Sequence, residues 1–392
     1  CSSDLIFDGL RLTGDMKTNL WVNQSGYWDY PLLAFNGEDR GSIGIWAQDP
    51  TYAYKSLFYL ADGNGIATSF CTIVNPPFAK ITKATSVTWR VQSFDKSWAQ
   101  VAARYRDWRA KTIKTAPRPS WVSEISFANS GVHAAKQWLT MLGDTVGTEH
   151  LNRTITFMPV IRAAPFDTKH WDNTAYPKFG EETKAWKESG AKTLAYLQPM
   201  IMWGLRDPNA PDDVKKVVAL SDDANTRDAF SEKPEIQPFH DQHHLGHVEW
   251  QKWFLACVKN YIDLGADGVY HDQSYPVPID GRGPINGMNS IQGMADYFYK
   301  AATQNPNSVH GTEHLTEANI VGASLGIGSG VHWGIAPTLR MQRIRNASPI
   351  SNAMHSPLGV IWAFPHQSQL GGDREWTRFD WGMDLQEQIG RA

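Results

Sequence analysis

Two acids, Asp272 and Glu313, each close a short apolar run: "GVYHD" at 268–272 and "SVHGTE" at 308–313. Each run has the length and β-branched or aromatic content of a buried strand. A carboxylate at the end of a buried strand sits where it can meet a ligand at the sheet's edge. Two on consecutive strands are the minimum equipment for glycoside hydrolysis. One attacks or stabilises the anomeric carbon, and the other protonates the leaving oxygen and then activates water. Asp272 is assigned as nucleophile, because its strand is buried and its neighbours can donate hydrogen bonds that keep it ionised. Glu313, with a longer side chain and His314 beside it, is assigned as general acid/base. The reverse assignment is the alternative.

The same mouth would draw on other residues. Gln198 ends a third strand and can hold a sugar hydroxyl. Trp171 and Asp172 lie in a long loop after a second strand, and Trp203 and Trp333 lie near two further strand ends. His271, Gln273 and His314 flank the two acids, and His240 and Asp241 lead into a helix. All are candidate substrate contacts. The chain holds 17 Trp and 13 Tyr; most belong to the core, but flat rings also suit the C–H faces of pyranoses. "FHDQHHLGHVEW" (239–250) raises zinc as an alternative. His243 and His247 would share a helix face only if that helix began early, and Gly246 argues against it. No metal and no other cofactor is assigned.

These residues need a frame that brings strand ends together. From Trp121 the sequence alternates strand and helix: strands at 122–129, 154–161, 192–203, 268–273 and 308–314, weaker ones at 330–334 and 356–365, and helices at 133–142, 181–189, 247–265 and 290–304. A long insertion covers 204–246. Repeated β-α units with an acid at a strand end predict a TIM-type (β/α)8 barrel, about seven strands of which are legible, so that either the barrel is incomplete in this sequence or its eighth strand is irregular. A doubly wound sheet is the runner-up, but no Gly-rich phosphate loop follows any strand. Before the barrel, runs at 41–48, 56–61, 67–74 and 85–94 read as a small antiparallel β-sandwich portion, followed by a helix at 95–108. The Pro-containing segment 115–121 sets the boundary between an N-terminal unit (1–114) and a catalytic barrel (115–392).

Composition narrows the partners. The formal net charge is −3 with no Lys/Arg block, which argues against nucleic acid. No run of eighteen apolar residues predicts a membrane span. Three Cys without a Cys-x-x-Cys spacing give no zinc ribbon. The run "CSSD" at the start reads either as a mature lipoprotein acylated on Cys1 or as a fragment of a longer protein. Either fits an extracellular, periplasmic or surface-anchored bacterial setting. Asn23, Asn152 and Asn346 form N-x-Ser/Thr triplets.

"DKSWAQVAARYRDW", a Pro linker, "GADGVYHDQ" and "HGTEHL", in that order, resemble the barrel glycosidases that carry an N-terminal β-sandwich. These include endo-α-N-acetylgalactosaminidases, dextranases and a related uncharacterised bacterial family. The resemblance covers most of 95–314 in layout and two short motifs in residues. It implies a retaining mechanism, an α-linked substrate, an Asp nucleophile on strand four and a Glu acid/base on strand five, which fall on Asp272 and Glu313. Two alternatives stand beside this reading: a non-catalytic carbohydrate-binding protein on a degenerate barrel, and a His-cluster metallohydrolase.

Overall fold

The computed structural model describes residues 3–7, 10–12, 17–23, 31–37, 41–62, 66–78, 81–95, 98–129, 139–140, 143–144, 147–157, 179–199, 212–227, 242–272, 274, 279–328 and 360–361. Two antiparallel sheets come first. One joins β1 (Ser3–Phe7), β2 (Leu10–Leu12), β4 (Leu32–Gly37), β5 (Gly41–Gln48) and β8 (Thr88–Phe94) in the order β2-β1-β4-β5-β8. The other joins β3 (Lys17–Asn23), β6 (Tyr54–Asp62) and β7 (Ile66–Ile73) in the order β3-β6-β7. Helix α1 (Trp98–Thr112) lies on the first sheet, where Val101, Ala102 and Tyr105 pack on Leu32, Ala34 and Trp46. It begins three residues later and ends four later than the periodicity of 95–108 predicts. Strands β1 to β4 are not among the runs the sequence analysis picked out.

The second half is one parallel sheet of seven described strands: β9 (Phe127–Asn129), β10 (Thr154–Phe157), β11 (Lys192–Leu197), β12 (Gly268–His271), β13 (Val309–His314), β14 (Leu325–Gly328) and β15 (Val360–Ile361). They neighbour one another in chain order, and every pair is parallel. Such a curled sheet forms half a barrel or more, because each crossover steps in the same direction. Helices α2 (Phe179–Glu188), α3 (Asp212–Ala224), α4 (Val248–Asp263) and α5 (Ser290–Gln304) accompany it. Alternation along the strands sorts the side chains. Ile155, Leu194, Tyr270, Val309 and Leu325 cluster on the inner face, while Ala195, Leu197 and Val269 join the larger core against the helices.

Two expectations change. The sixth strand was placed at 330–334; those residues lie outside the described ones, and the strand in that place in the order is β14 at Leu325–Gly328. Its glycines hid it, since Gly lowers strand propensity. Gly326 has a packing reason: a Cβ there would stand 2.7 Å from Leu315 Cγ. No helix was placed in the insertion at 204–246, yet it holds α3. Val217, Leu220, Ser221 and Ala224 repeat at i, i+3, i+4 and i+7, and Val217, Ser221 and Ala224 are buried. Lys and Asp around this thin stripe masked its period. Most of the helix expected at 133–142 lies outside the described residues.

Local chemistry sets the elements beside the acids. Helix α5 opens with a reciprocal cap: Asn289 accepts from the Gln292 backbone N–H, and the Gln292 side chain accepts from the Asn289 N–H. Helix α4 ends at Gly265, whose φ of +98° is the left-handed turn that favours glycine, and Ala266 N–H then donates to Tyr261 O at 3.0 Å. The chain enters β12 at Gly268, where a Cβ would come within 2.0 Å of the Val309 carbonyl oxygen. Only glycine lets β12 and β13 approach in this register. Gly268→Ala should therefore destabilise the protein by about 3 kcal/mol, at the upper end of overpacking costs. Chemical denaturation checks this; an unchanged midpoint would show that the strands have room to part.

Candidate active site at the ends of β11, β12 and β13

Asp272 stands one residue past β12, and its backbone N–H extends the ladder by donating to Leu197 O at 2.7 Å. Its carboxylate, half-buried, is held from the neighbouring strand. The Tyr196 hydroxyl and Gln198 Nε2 both donate to Oδ2, the latter at 2.8 Å. Gln198 Nε2 also donates to the Tyr196 oxygen at 2.8 Å, closing a triangle. Among the described residues Oδ1 meets the Tyr270 hydroxyl at 3.5 Å, the outer limit of a hydrogen bond. One oxygen is thus fixed and the other is the freer of the two. Tyr196, Gln198, Tyr270 and Asp272 share the inner face because each pair is two residues apart on its strand. The end of β11 is itself anchored, since Trp250 of α4 donates its indole N–H to Pro199 O at 2.9 Å.

Glu313 lies on the adjacent strand. The β12–β13 register pairs Gly268 with Val309, Tyr270 with Gly311 and His271 with Thr312. Glu313 follows Thr312 on β13 as Asp272 follows His271 at the end of β12, on strands about 4.8 Å apart; the side chains of Glu313 and His314 lie outside the described residues. The turn after Asp272 is tied to β13 as well. Ser274 Oγ donates to His271 O at 2.7 Å and makes a short hydrogen bond with Thr312 Oγ1, one residue before Glu313. His314 occupies β13 and pairs in register with Gly328.

His271 was expected to touch substrate, and its position corrects that. Its side chain is fully buried on the opposite face from Asp272. There His271 Nε2 meets His310 Nδ1 at 3.1 Å, the Tyr297 hydroxyl meets His271 Nδ1 at 3.1 Å, and Phe298 presents its edge at 5.0 Å. Burial, reinforced by His310, pushes the His271 pKa well down, and burial brings His310 to about 4. Both rings are neutral packing groups behind the sheet. Gln198, expected to bind a hydroxyl, gives its amide N–H groups to Asp272 and Tyr196 and so orients the acid.

The described histidines of 239–250 do three separate jobs. His243 bonds Ser221 Oγ at 2.7 Å and stacks on Trp250 at 4.3 Å. His244 accepts from the Gly246 N–H at 2.9 Å, and burial lowers its pKa to about 4. His247 caps α4, accepting from the Trp250 N–H, and its other nitrogen meets Asp223 at 2.8 Å. Among the described residues no group of three potential ligands gathers to hold a metal ion, and no helix is long and apolar enough to cross a membrane. Trp171, Asp172, Trp203, His240, Asp241, Gln273 and Trp333 lie outside the described residues. The sequence reading missed Tyr196 and Tyr270. The available signal was spacing, for both stand two residues before a polar group that ends the same strand.

No protein-family model and no curated protein sequence matches this chain. Solved structures do resemble it. The alpha-N-acetylgalactosaminidase of Bifidobacterium bifidum in complex with GalNAc aligns at a TM-score of 0.62 and 12% identity, over 92% of this chain and 64% of that one. The alpha-galactosidase of Thermus thermophilus aligns at 0.56 and 10%, over 99% and 81%. The cycloalternan-degrading enzyme of Trueperella pyogenes aligns at 0.55 and 12%, over 100% and 63%. At such identities the likeness is one of fold, and it bears out the resemblance to barrel glycosidases with an N-terminal β-rich unit. The chain spans less than two thirds of the first of these proteins.

The neutral histidines imply an acid limit to stability. His244 and His310 have folded pKa values of about 4 against an ordinary value of 6.5. The unfolded chain therefore binds more protons between these values, and the histidines' contribution is complete above pH 6.5. It is lost as pH falls toward 4, by on the order of 3 kcal/mol for each ring. Melting temperature should drop over that interval, and less steeply in His310→Gln; a flat profile from pH 6.5 to 4.5 would contradict the burial argument.

Proposed function

We propose that the protein is a retaining glycoside hydrolase acting on an α-linked glycan or polysaccharide, on a barrel of the (β/α)8 type over about 115–392 preceded by a β-rich unit over 1–114. The observation that carries this reading is the Asp272 carboxylate, held through one oxygen by Tyr196 and Gln198 at the end of β12, the strand that pairs with the Glu313-bearing β13. Adjacent strands favour the short carboxylate separation of about 5–5.5 Å that goes with a covalent intermediate over the 6.5–9.5 Å that leaves room for a water. The names of two structural neighbours, an alpha-N-acetylgalactosaminidase and an alpha-galactosidase, support α-glycosides as the substrate class. A glycan-degrading role fits an extracellular, periplasmic or surface-anchored setting.

In this mechanism Asp272 Oδ1 attacks the anomeric carbon while the bond to the leaving oxygen breaks. Glu313, as the carboxylic acid, gives its proton to that oxygen. The glycosyl ester on Asp272 then breaks down as Glu313, now a carboxylate, takes a proton from water and the water oxygen bonds to the anomeric carbon. Asp272 departs as a carboxylate, and the donors on Oδ2 stabilise it as it leaves. A wall tryptophan such as Trp171, Trp203 or Trp333 would stack on the sugar, with Asp172, His240, Asp241, Gln273 and His314 as further contacts.

Asp272→Asn and Glu313→Gln should each abolish hydrolysis at unchanged melting temperature. Azide should restore turnover of a nitrophenyl glycoside by Glu313→Ala, giving a glycosyl azide of retained configuration, and should give the inverted azide with Asp272→Ala. Exchanged outcomes would exchange the two roles. Tyr196→Phe removes one hydrogen bond to a charged group, worth about 1.5–3 kcal/mol. It should lower kcat by about 10- to 100-fold. An unchanged kcat would mean that the tyrosine does not serve the nucleophile.

A further inference from the structure

The segment that follows β13, residues 315–323, is buried along its length, and its one charged side chain, Glu317, is 5% exposed. Its partners come from the antiparallel unit more than two hundred residues earlier. Lys55 Nζ, on β6, lies 3.0 Å from Glu317 Oε1, and the two side chains are 0% and 7% exposed. Asp49 grips the same ammonium, and Lys55 also donates to Ala53 O at 2.9 Å. Asp49 is held in turn by the Thr51 N–H at 2.9 Å and the Ala53 N–H at 2.8 Å. From α1, Arg109 Nη2 donates to Glu317 O at 3.0 Å and the Tyr105 hydroxyl reaches Oε2 at 3.5 Å. The linker joins in: Ala116 N–H donates to Val321 O at 2.7 Å, and Arg118 Nη2 donates to Ile320 O at 2.6 Å. The same 49–55 stretch is fastened to the start of α5, where Gln292 Nε2 donates to Thr51 O at 2.7 Å and the Tyr54 hydroxyl meets Ser290 Oγ at 2.7 Å.

Glu317 is four residues from Glu313. The acid/base therefore ends a strand whose outgoing chain is fastened by a buried ion pair to another part of the molecule. We propose that Lys55 is a positioning residue for Glu313: through Glu317 it fixes the segment leaving β13, and so the place from which the acid/base delivers its proton. This rests on the glycosidase reading above. Asp272 is held by a different set of contacts, from β11, so loss of the ion pair should impair proton delivery and spare nucleophilic attack. A part with a purely structural role would impair both alike.

The test compares full-length parent, Lys55→Met, Lys55→Arg and Glu317→Gln on two substrates of one sugar: a glycosyl fluoride, whose leaving group needs little protonation, and an alkyl glycoside, which needs it. For each, kcat/KM reports the step that forms the glycosyl-enzyme. Lys55→Met should lose at least 100-fold on the alkyl glycoside and less than fivefold on the fluoride. Lys55→Arg should recover most of the loss. Glu317→Gln, which keeps the shape and removes one charge, should show the same selectivity at about 10-fold and serves if Lys55→Met does not fold. Hydrogen exchange should show faster exchange across 315–323 in the variants and no change across 194–198 and 268–272. Equal losses on both substrates, or unchanged exchange at 315–323, overturn the proposal while leaving the hydrolase reading intact. A parent inactive on both substrates overturns the hydrolase reading itself, and the proposal with it.

Discussion

The pairing of Gly268 with Val309 is the constraint on which the site depends. A Cβ at Gly268 would collide with the Val309 carbonyl, so this pairing needs glycine, and it belongs to the register that continues to His271 and Thr312. Tyr270 then pairs with Gly311, which leaves space for its ring, and His271 pairs with Thr312, the residues just before the two acids. A slip of one residue would turn one of the two acids to the helix side of the sheet. In the proposed site it is backbone register, before any side-chain chemistry, that brings the ends of β12 and β13 together.

The two faces of the same strand end are treated in opposite ways. On the inner face, Tyr196 and Gln198 supply donors to one oxygen of Asp272 and so fix its orientation. On the outer face, His271 and His310 are sealed among Tyr297, Phe298 and the sheet, and burial keeps them neutral. The Glu317 cluster is a third case. Burial raises the Glu317 pKa although Lys55 opposes it; at Asp49 burial also acts upward, but Lys55 and the Thr51 donors outweigh it and the pKa falls. A buried cation shared by two carboxylates stays in place because moving it would leave both charges uncompensated. It thus suits a fixed joint between the antiparallel unit and the parallel sheet.

Much of this was legible in the sequence where the signal is local. The strand runs ending at Asp272 and Glu313, the amphipathic periods of α4 and α5 and the helix after the antiparallel strands were all readable, with ends shifted by a few residues. Strands β1 to β4 carry fewer uninterrupted β-branched runs, β14 is half glycine, and the stripe of α3 is only four residues wide. The assignment of His271 to substrate followed its neighbour Asp272 and neglected the alternation that sends consecutive strand residues to opposite faces. The triangle of Tyr196, Gln198 and Asp272 needed the β11–β12 register, and the Lys55–Glu317 pair spans 262 positions. Neither is written in any local pattern.

The account turns on a covalent bond to Asp272. Incubating the protein with an activated 2-deoxy-2-fluoro glycoside, whose fluorine slows breakdown of the intermediate more than its formation, followed by peptide mass spectrometry, locates that bond directly. The account predicts one sugar per chain, attached at Asp272 in the peptide that contains 268–272. A sugar attached at Glu313, or turnover of the same glycoside with inversion and no adduct, would contradict it.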